Sequence, residues 1–459
     1  MQLNRSATQQ ERHVHLISLG CSRNRVDSEV MLGTLFGKGW KHTDDLGAAD
    51  AVIVNTCGFI GSAKQESVDT ILECAEYKKT NPNLKLVVTG CLTQRYKNQL
   101  ADNLPEVDLF IGTDEFTRLG ELLDNVGVAP SGTSPRKVFA KRTHYLYTDA
   151  MPRVNTLSQY SAYVKVAEGC QHNCSFCIIP AIRGRLRSRP IDSVVSEVEK
   201  LVADGVVEIN LIAQDLAAYG RDRGHDELLP LLKRLVKVDG LRWVRLLYIY
   251  PEHISDEFLD FFATEPKIVK YLDIPMQHAS DRILQAMKRD VTREFLTATI
   301  RRVRERVPEV AIRTSVMVGF PGESEADFQE LLGFVRESKI DHLGCFQYSK
   351  EEGTVAGRMA AQIDDEVKAQ RQQEVMELQK EISAQRLQDF VGKSFPVLTF
   401  GPSEESELVW EGRLAIQAPE VDGKIYLTDG DVRQGAIQQV RIDEAHEYDL
   451  VGTVVSSAN

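Results

Sequence analysis

The sequence predicts an α/β chain in three parts. These are an N-terminal βαβ parallel-sheet domain, a six-unit β/α partial barrel and a small all-β barrel at the C-terminal end. Three observations lead there. Apolar runs of strand length alternate with helix-length patterns through most of the 459 residues, the signature of parallel β/α units. A Gly/Pro/Ser-rich break, VGVAPSGTSPRK at 126–137, interrupts the alternation and reads as a linker. Beyond residue 390 the pattern changes to short strands between Gly, Asp and Pro turns, as in a small barrel.

The first part repeats one device. VHLISL (14–19) ends in Gly20-Cys21, AVIV (51–54) leads through Asn55-Thr56 to Cys57, and LKLVV (84–88) leads through Thr89-Gly90 to Cys91. Helical patterns at 26–36 and 62–79 separate these runs, with Ser62 as the expected cap of the second and Glu66 nearby. In parallel sheets ligands gather outside the carboxyl ends of the strands. All three cysteines fall there, and three equivalent positions are hard to assign to packing.

After the linker no period is clear until about residue 160. Six strand-like runs follow at 162–167, 207–213, 243–250, 271–274, 312–318 and 342–348. Helical stretches such as 191–204 and 293–306 separate most of them, giving a parallel barrel or an open partial barrel with functional loops at the strand carboxyl ends. A polar helix at 364–390 leads into FPVLTF, LVWEGRLAI, KIYLT, IQQVRI and LVGTVV. The expected boundaries are 13–126, a linker at 127–155, 156–386 and 387–455.

Composition limits the function classes. With 42% hydrophobic and 27% charged residues the chain reads as an ordinary soluble protein. MQLNRSATQQERH has no apolar leader segment and no later stretch is long enough to span a membrane. The expected compartment is the cytoplasm, where disulfides are rare. The eight cysteines therefore read as metal ligands or small buried hydrophobes. The net charge is −12, and from 387 to 459 there are 13 acidic residues against 5 basic ones, a net of −8. An acidic face repels phosphate and attracts basic surfaces; a merely solubilising surface is the other reading.

The loop after the first strand of the middle part reads A-E-G-C-Q-H-N-C-S-F-C, with Cys170, Cys174 and Cys177 in C-x3-C-x2-C spacing. Structural zinc wants a fourth ligand, and His172 would have to fold back into a tight loop to supply it. A four-iron cluster suits thiolates on a loop better. Three thiolates leave one iron without a protein ligand, and an open metal position is where chemistry takes place.

On these residues the chain resembles the radical S-adenosylmethionine enzymes, with Phe176 at the place of a common aromatic. The resemblance implies that Cys170, Cys174 and Cys177 hold a 4Fe-4S cluster whose open iron chelates S-adenosylmethionine, and that electron transfer then yields a 5′-deoxyadenosyl radical. The order of parts is similar to that of the methylthiotransferases. Their N-terminal domain carries a second 4Fe-4S cluster on three cysteines, matching Cys21, Cys57 and Cys91, and their terminal barrel is a TRAM domain. The likeness covers about 13–455. GCSRNRVDSE, NTCGFIGSAKQES, TGCLTQRY, EGCQHNCSFCIIPAIRG, YLDIPMQHAS, VGFPGE and HEYDLVG are most similar to the branch that methylthiolates the β-carbon of an aspartate in ribosomal protein S-twelve. Ser22-Arg23 stand where that branch more often has Pro-Lys, which bears on local loop geometry. The resemblance implies a sulfur donor and an electron donor such as flavodoxin or ferredoxin as further partners.

The rival is the sister branch acting on adenosine in tRNA. A TRAM domain gripping tRNA should present Lys and Arg to phosphates, whereas this one is acidic and suits a basic ribosomal protein. A nucleic-acid-binding module with a structural cluster would leave the cysteines at the barrel face unexplained. A simple electron carrier would need neither six β/α units nor a terminal barrel. An unactivated C–H bond offers no handle to acids or bases, so no acid–base residue is expected to be catalytic.

Cys74 and Cys345 lie in helical and strand patterns and read as packing residues. Arg183, Arg185, Arg187 and Arg189 form an alternating basic run that either orients a carboxylate or is a solvated turn. Gln214-Asp215, Gln277-His278 and GFPGE (319–323) follow later strands, where they either contact the adenosine or methionine parts or shape loops. No GxxxxGK or GxGxxG phosphate loop is present.

Overall fold

The structure, a computed structural model, describes residues 11–126, 138–141, 144–403, 406 and 408–457. The chain forms two compact units. The first comprises residues up to Thr156 together with Ile178–Arg185; the second comprises Leu157–Cys177 and Leu186 onward.

In the first unit, strands β1 (Arg12–Ser18), β2 (Trp40–His42), β3 (Ala51–Thr56), β4 (Lys85–Gly90), β5 (Leu109–Ile111) and β6 (Val138–Phe139) form one parallel sheet in the order β2-β1-β3-β4-β5-β6. Every residue of β3 is buried, as expected of a strand covered on both faces. Ile71 and Cys74 of helix α2 (Gly61–Glu76) pack in one core cluster with Val52, Val54, Leu86 and Val88. Helix α1 (Ser22–Phe36) starts four residues earlier than its apolar pattern, because Asn24, Asp27, Ser28 and Glu29 are buried polar residues that hide the period. Ser62 is not the cap of α2: the helix begins at Gly61 after extended Ile60, so Ser62 already lies inside the first turn, and no side chain caps it. Helices α3 (Cys91–Asn103) and α4 (Leu119–Asp124) complete the unit's longer elements. Residues 127–137 of the expected linker lie outside the described residues.

In the second unit, β7 (Ser161–Lys165) is followed by β8 (Ala167–Glu168). The short helix α5 (Ile179–Arg183) belongs to the first unit, and the chain returns through β9 (Arg187–Ser188), which pairs with β8. Five more parallel strands follow: β10 (Glu208–Ile212), β11 (Trp243–Leu246), β12 (Ile268–Asp273), β13 (Ala311–Val318) and β14 (His342–Gln347). Their sheet order, β14-β13-β12-β11-β10-β7, is sequential and open. Each crossover carries a helix, as parallel neighbours require: α6 (Ile191–Ala203), α7 (Leu228–Leu235), α8 (Asp256–Thr264), the pair α9 (Asp281–Ala286) and α10 (Arg293–Arg306), and α11 (Glu325–Ser338). The six-unit expectation holds with shifted edges. β11 stops at Leu246 rather than residue 250, because Tyr248 adopts φ +64° and turns the chain.

Helix α12 (Asp365–Gln388) buries Val375 and Ile382 against this core, and its Gln379 amide donates to the Ile340 carbonyl at 3.0 Å. The chain then closes a five-stranded barrel from β15 (Ser394–Pro402), β16 (Trp410–Leu414), β17 (Ile425–Asp429), β18 (Ile437–Ala445) and β19 (Leu450–Ser457), in the order β15-β16-β17-β19-β18. Closure removes the free strand edges, and Val397, Leu414, Ile425, Leu427, Val440, Ile442 and Leu450 fill the interior.

This barrel is tied to the six-stranded core by buried charges. Glu208 at the start of β10 accepts from Arg245 of β11 at 3.0 Å and from Arg413 of β16 at 2.5 Å. Asp422 is held by Arg313 at 2.5 Å and accepts from the Tyr271 hydroxyl at 2.7 Å. Among the described residues no helix is long and apolar enough to cross a membrane.

Candidate metal centres

Strands β1, β3 and β4 are adjacent and in register, with Ser18 opposite Asn55 and Thr56 opposite Gly90. The residues following their carboxyl ends are therefore neighbours as well. Cys21 is the N-cap residue of α1, Cys57 follows β3 and Cys91 opens α3. Gly20 has φ +88°, and a Cβ there would lie 2.9 Å from Cys57 Cβ and 3.2 Å from its sulfur. A Cβ on Gly58 would come within 2.8 Å of the Cys91 backbone. The loops approach so closely because these positions carry no side chain.

Cys57 and Cys91 each feel neighbouring thiols. Burial, the neighbouring Cys91 and then Cys21 push the Cys57 thiol up to about 12. Cys91 is also raised, chiefly by burial, against the pull of Arg183. Cys21 keeps accessible surface. Desolvation of its sulfur favours the thiol, but the Arg23 and Arg183 charges and the Asn24 and Arg23 N–H groups outweigh this and hold it below its ordinary value. Two buried thiols that resist ionising beside a third that ionises readily are a donor set that a cation reconciles, because metal ligation takes the thiolate form.

Asn24 and Asp27 organise this triad from α1. The Asn24 amide donates to the Leu19 and Thr56 carbonyls, both at 3.0 Å. Its Oδ1 accepts from Arg183 Nη2 at 2.5 Å, and Asp27 Oδ2 accepts from Arg183 Nη1 at 2.7 Å. Arg183 Nη2 also lies 3.4 Å from Cys91 Sγ. Within GCSRNRVDSE the sequence alone does not mark Asn24 or Asp27. The available signal was two polar residues placed where the helix face should have been apolar.

In the second unit, Cys170 and Cys174 are buried and Cys177 is half-buried, in the loop between β8 and α5. The Cys177 N–H donates to the Cys174 carbonyl at 3.1 Å, and the Ser175 N–H donates to the Met287 carbonyl at 2.9 Å. His172 folds away from the thiols. Its Nε2 lies 2.7 Å from Asp215 Oδ2, and its ring stacks on Tyr250 at 4.0 Å. His172 is therefore engaged by Asp215 and Tyr250 rather than by a thiol of its own loop. The Tyr250 hydroxyl is 3.7 Å from Cys174 Sγ, and the buried Arg289 guanidinium lies 4.1 Å from the Tyr250 ring centre. Burial, first, and the nearby Cys174 and Cys170 raise the Tyr250 phenol well above its ordinary range, while Arg289 opposes them. A buried cation beside Cys174 suits a thiolate ligand and would be costly beside a packing cysteine.

The packing cysteines lack such partners. Burial and Glu73 raise Cys74 to about 11, and burial and Glu323 raise Cys345 to about 12. Both lie in apolar core clusters. The solvated-turn reading fails for two of the four arginines. Arg183 is buried in the triad network, and Arg189 is fully buried on Glu197 at 2.5 Å, while Arg185 is exposed. Gln214 donates to Glu168 at 2.9 Å, and Glu168 also pairs with Lys165 at 2.7 Å. Asp215 anchors His172. Gln277, at φ +73°, forms an isolated bridge with Val316. His278 and Glu323 are fully buried 3.6 Å apart, and Arg371 of α12 donates to Glu323 at 2.8 Å. Asp215, His278 and Glu323 thus each have a protein partner at the carboxyl ends of the strands. Nothing in the sequence marks Tyr250, Arg289, Lys165 or Glu168: Tyr250 and Lys165 lie in apolar runs, and Arg289 lies in the charged run Lys288-Arg289-Asp290.

Three segments match known families: residues 13–112 match "Uncharacterized protein family UPF0004", 164–335 the "Radical SAM superfamily" and 391–455 the "TRAM domain". The "Ribosomal protein uS12 methylthiotransferase RimO" of Anaeromyxobacter sp. (strain K) is 48% identical over 444 residues, covering 96% of this chain and 93% of that one. The protein of the same name from Syntrophotalea carbinolica is 48% identical over 459 residues, covering 100% of both. Among solved structures, the radical S-adenosylmethionine methyltransferase TsrM from Kitasatospora setae, with cobalamin and a 4Fe-4S cluster bound, superposes with TM-score 0.55 at 18% identity over 76% of this chain and 77% of that one. The cobalamin-dependent S-adenosylmethionine radical enzyme OxsB gives 0.53 at 11% identity over 81% and 56%. At these identities the structural likeness is one of fold.

Proposed function

This chain belongs to the family of ribosomal protein uS12 methylthiotransferases, RimO, and from that premise we propose that it attaches a methylthio group to the β-carbon of an aspartate in uS12. The observation that carries the reading is the presence, in one chain so similar to RimO, of two separate sets of three thiols, one following the carboxyl ends of three parallel strands and one in the loop after β8. Cys170, Cys174 and Cys177 would hold the 4Fe-4S cluster that takes S-adenosylmethionine, and Cys21, Cys57 and Cys91 an auxiliary one. When bound, the first cluster and S-adenosylmethionine supply the radical that removes hydrogen from a carbon with no acidic handle, chemistry that belongs to the cofactor.

The protein's own residues position and insulate. His172 on Asp215 and Tyr250 fixes the cluster loop, and Arg289 offsets charge on Cys174. The terminal barrel supports a protein substrate over tRNA. Its buried Arg413 and Asp422 pair with Glu208 and Arg313 of the six-stranded core, and residues 387–459 together carry 13 acidic against 5 basic residues. Such a surface attracts a basic ribosomal protein and repels phosphate. The division of labour follows residues 13–126, 156–386 and 387–455, with 127–155 as linker. The reaction further calls for a sulfur donor and a low-potential electron donor such as flavodoxin or ferredoxin, and a ribosomal substrate supports a cytoplasmic location.

The test offers uS12 and tRNA in parallel to the anaerobically reconstituted enzyme with dithionite and S-adenosylmethionine. Mass spectrometry should find a methylthio increment on an aspartate of uS12. Modification of tRNA alone would overturn the substrate, and absence of 5′-deoxyadenosine would overturn the radical chemistry.

A further inference from the structure

Arg183 is the last residue of α5, six positions beyond Cys177 in the sequence, yet it is packed within the N-terminal unit. Its side chain is 3% exposed and that of its partner Asp27 is 6% exposed. The guanidinium reaches Asp27, Asn24 and Cys91. Nη1 goes to Asp27, while Nη2 is shared between Asn24 Oδ1 and Cys91 Sγ at 3.4 Å. Ile178 and Ile182 of the same segment form a small apolar cluster with Cys91 and Phe59, which shields that contact from water. As a free thiol Cys91 points toward Asn24 Oδ1, 3.6 Å away. A metal-ligating thiolate has no proton to donate, so Arg183 Nη2 would then be the donor facing it.

Hydrogen bonds to cluster sulfurs and local charge are among the terms that set iron–sulfur potentials. A cation that donates to a ligand sulfur favours the more negative, reduced state, and it does so more strongly where water is excluded. We propose that Arg183 is a positioning residue that acts through Cys91 to raise the reduction potential of the auxiliary cluster, with Asn24 and Asp27 fixing its guanidinium against the sulfur. The proposal rests on the two-cluster reading above and deepens it.

The experiment uses the full chain with Cys170, Cys174 and Cys177 replaced by Ala, reconstituted anaerobically so that only the auxiliary cluster remains, and reads its midpoint potential by EPR-monitored redox titration. R183M should shift the midpoint to lower potential, and R183K, which keeps the charge, should restore most of the shift. Because R183M takes a cation away from buried Asp27, R183M/D27N is measured alongside it and should shift in the same direction. An unchanged midpoint at full iron load in either uncharged variant would overturn the proposal. So would loss of the cluster from both uncharged variants with an unshifted R183K, since Arg183 would then hold the centre without tuning it. If the parent protein carrying wild-type Arg183 binds no four-iron cluster, what fails is the two-cluster reading itself.

Discussion

Arg413 of the small barrel and Glu208 at the foot of β10 meet at 2.5 Å with the carboxylate fully buried, and Arg245 approaches the same carboxylate at 3.0 Å. One carboxylate therefore compensates two buried guanidiniums and joins two β-structures distant in sequence.

Removing that charge should be costly. Glu208→Gln keeps the volume but leaves Arg245 and Arg413 without their counter-charge, and breaking a buried pair in this way costs about 3–5 kcal/mol. Urea denaturation followed by tryptophan fluorescence, which includes the barrel residue Trp410 and the core residue Trp243, should report that loss. A change below about 1 kcal/mol would show the pair to be dispensable.

The same group predicts the acid limb of stability. Burial raises the Glu208 carboxyl, but Arg413 and Arg245 overcome this and hold it at about 2 against an ordinary 4.5. A lowered pKa means that the folded state binds the proton later than the unfolded chain. The stabilisation is thus complete above about pH 4.5 and is lost as pH falls toward 2, amounting to about 3 kcal/mol. Acid titration of wild type and E208Q should show the difference between them shrinking through that window. A difference independent of pH would remove Glu208 from the acid response.

Iron content separates the two thiol sets. Replacing Cys21, Cys57 and Cys91 together by Ala should halve the iron bound after reconstitution while S-adenosylmethionine is still reductively cleaved. Replacing the core residues Cys74 and Cys345 should leave iron unchanged. Unchanged iron in the first variant would refute the auxiliary centre.

Gly20→Ala tests the triad by geometry. The new methyl group would sit 2.9 Å from Cys57 Cβ at a backbone φ of +88°, a conformation that costs an L-residue about 1–2 kcal/mol. The expected outcome is selective loss of about half the iron, as in the triple variant, with the fold retained by circular dichroism. Full iron at the auxiliary centre would show that the loop yields without harm.

Both parallel sheets were legible in the sequence because strands buried on both faces read as continuous apolar runs. The triad was legible because three such runs end in cysteine. What stayed hidden was the polar interior. Asn24, Asp27 and Glu29 are buried on α1, and a periodicity argument takes them for surface. Arg189 looked like part of a solvated turn and is fully buried on Glu197. Ser62 had the chemistry of a cap but falls one position past the helix start, an offset set by the extended backbone at Ile60. Pattern reading prices polar residues as exposed, so it fails where their partners come from elements far along the chain.

The first unit is discontinuous: Leu157–Cys177 belong to the second unit, while Ile178–Arg185 return to the first. During translation, a nascent chain that has emerged only to Thr156 still lacks Arg183, the partner of buried Asp27. Domains emerging from the ribosome usually fold in order from the N-terminus, but here the opening unit must wait for a segment encoded inside its successor. Expression of residues 1–156 alone would deprive buried Asp27 of its Arg183 ion pair, so completion of the first unit depends on translation of the second.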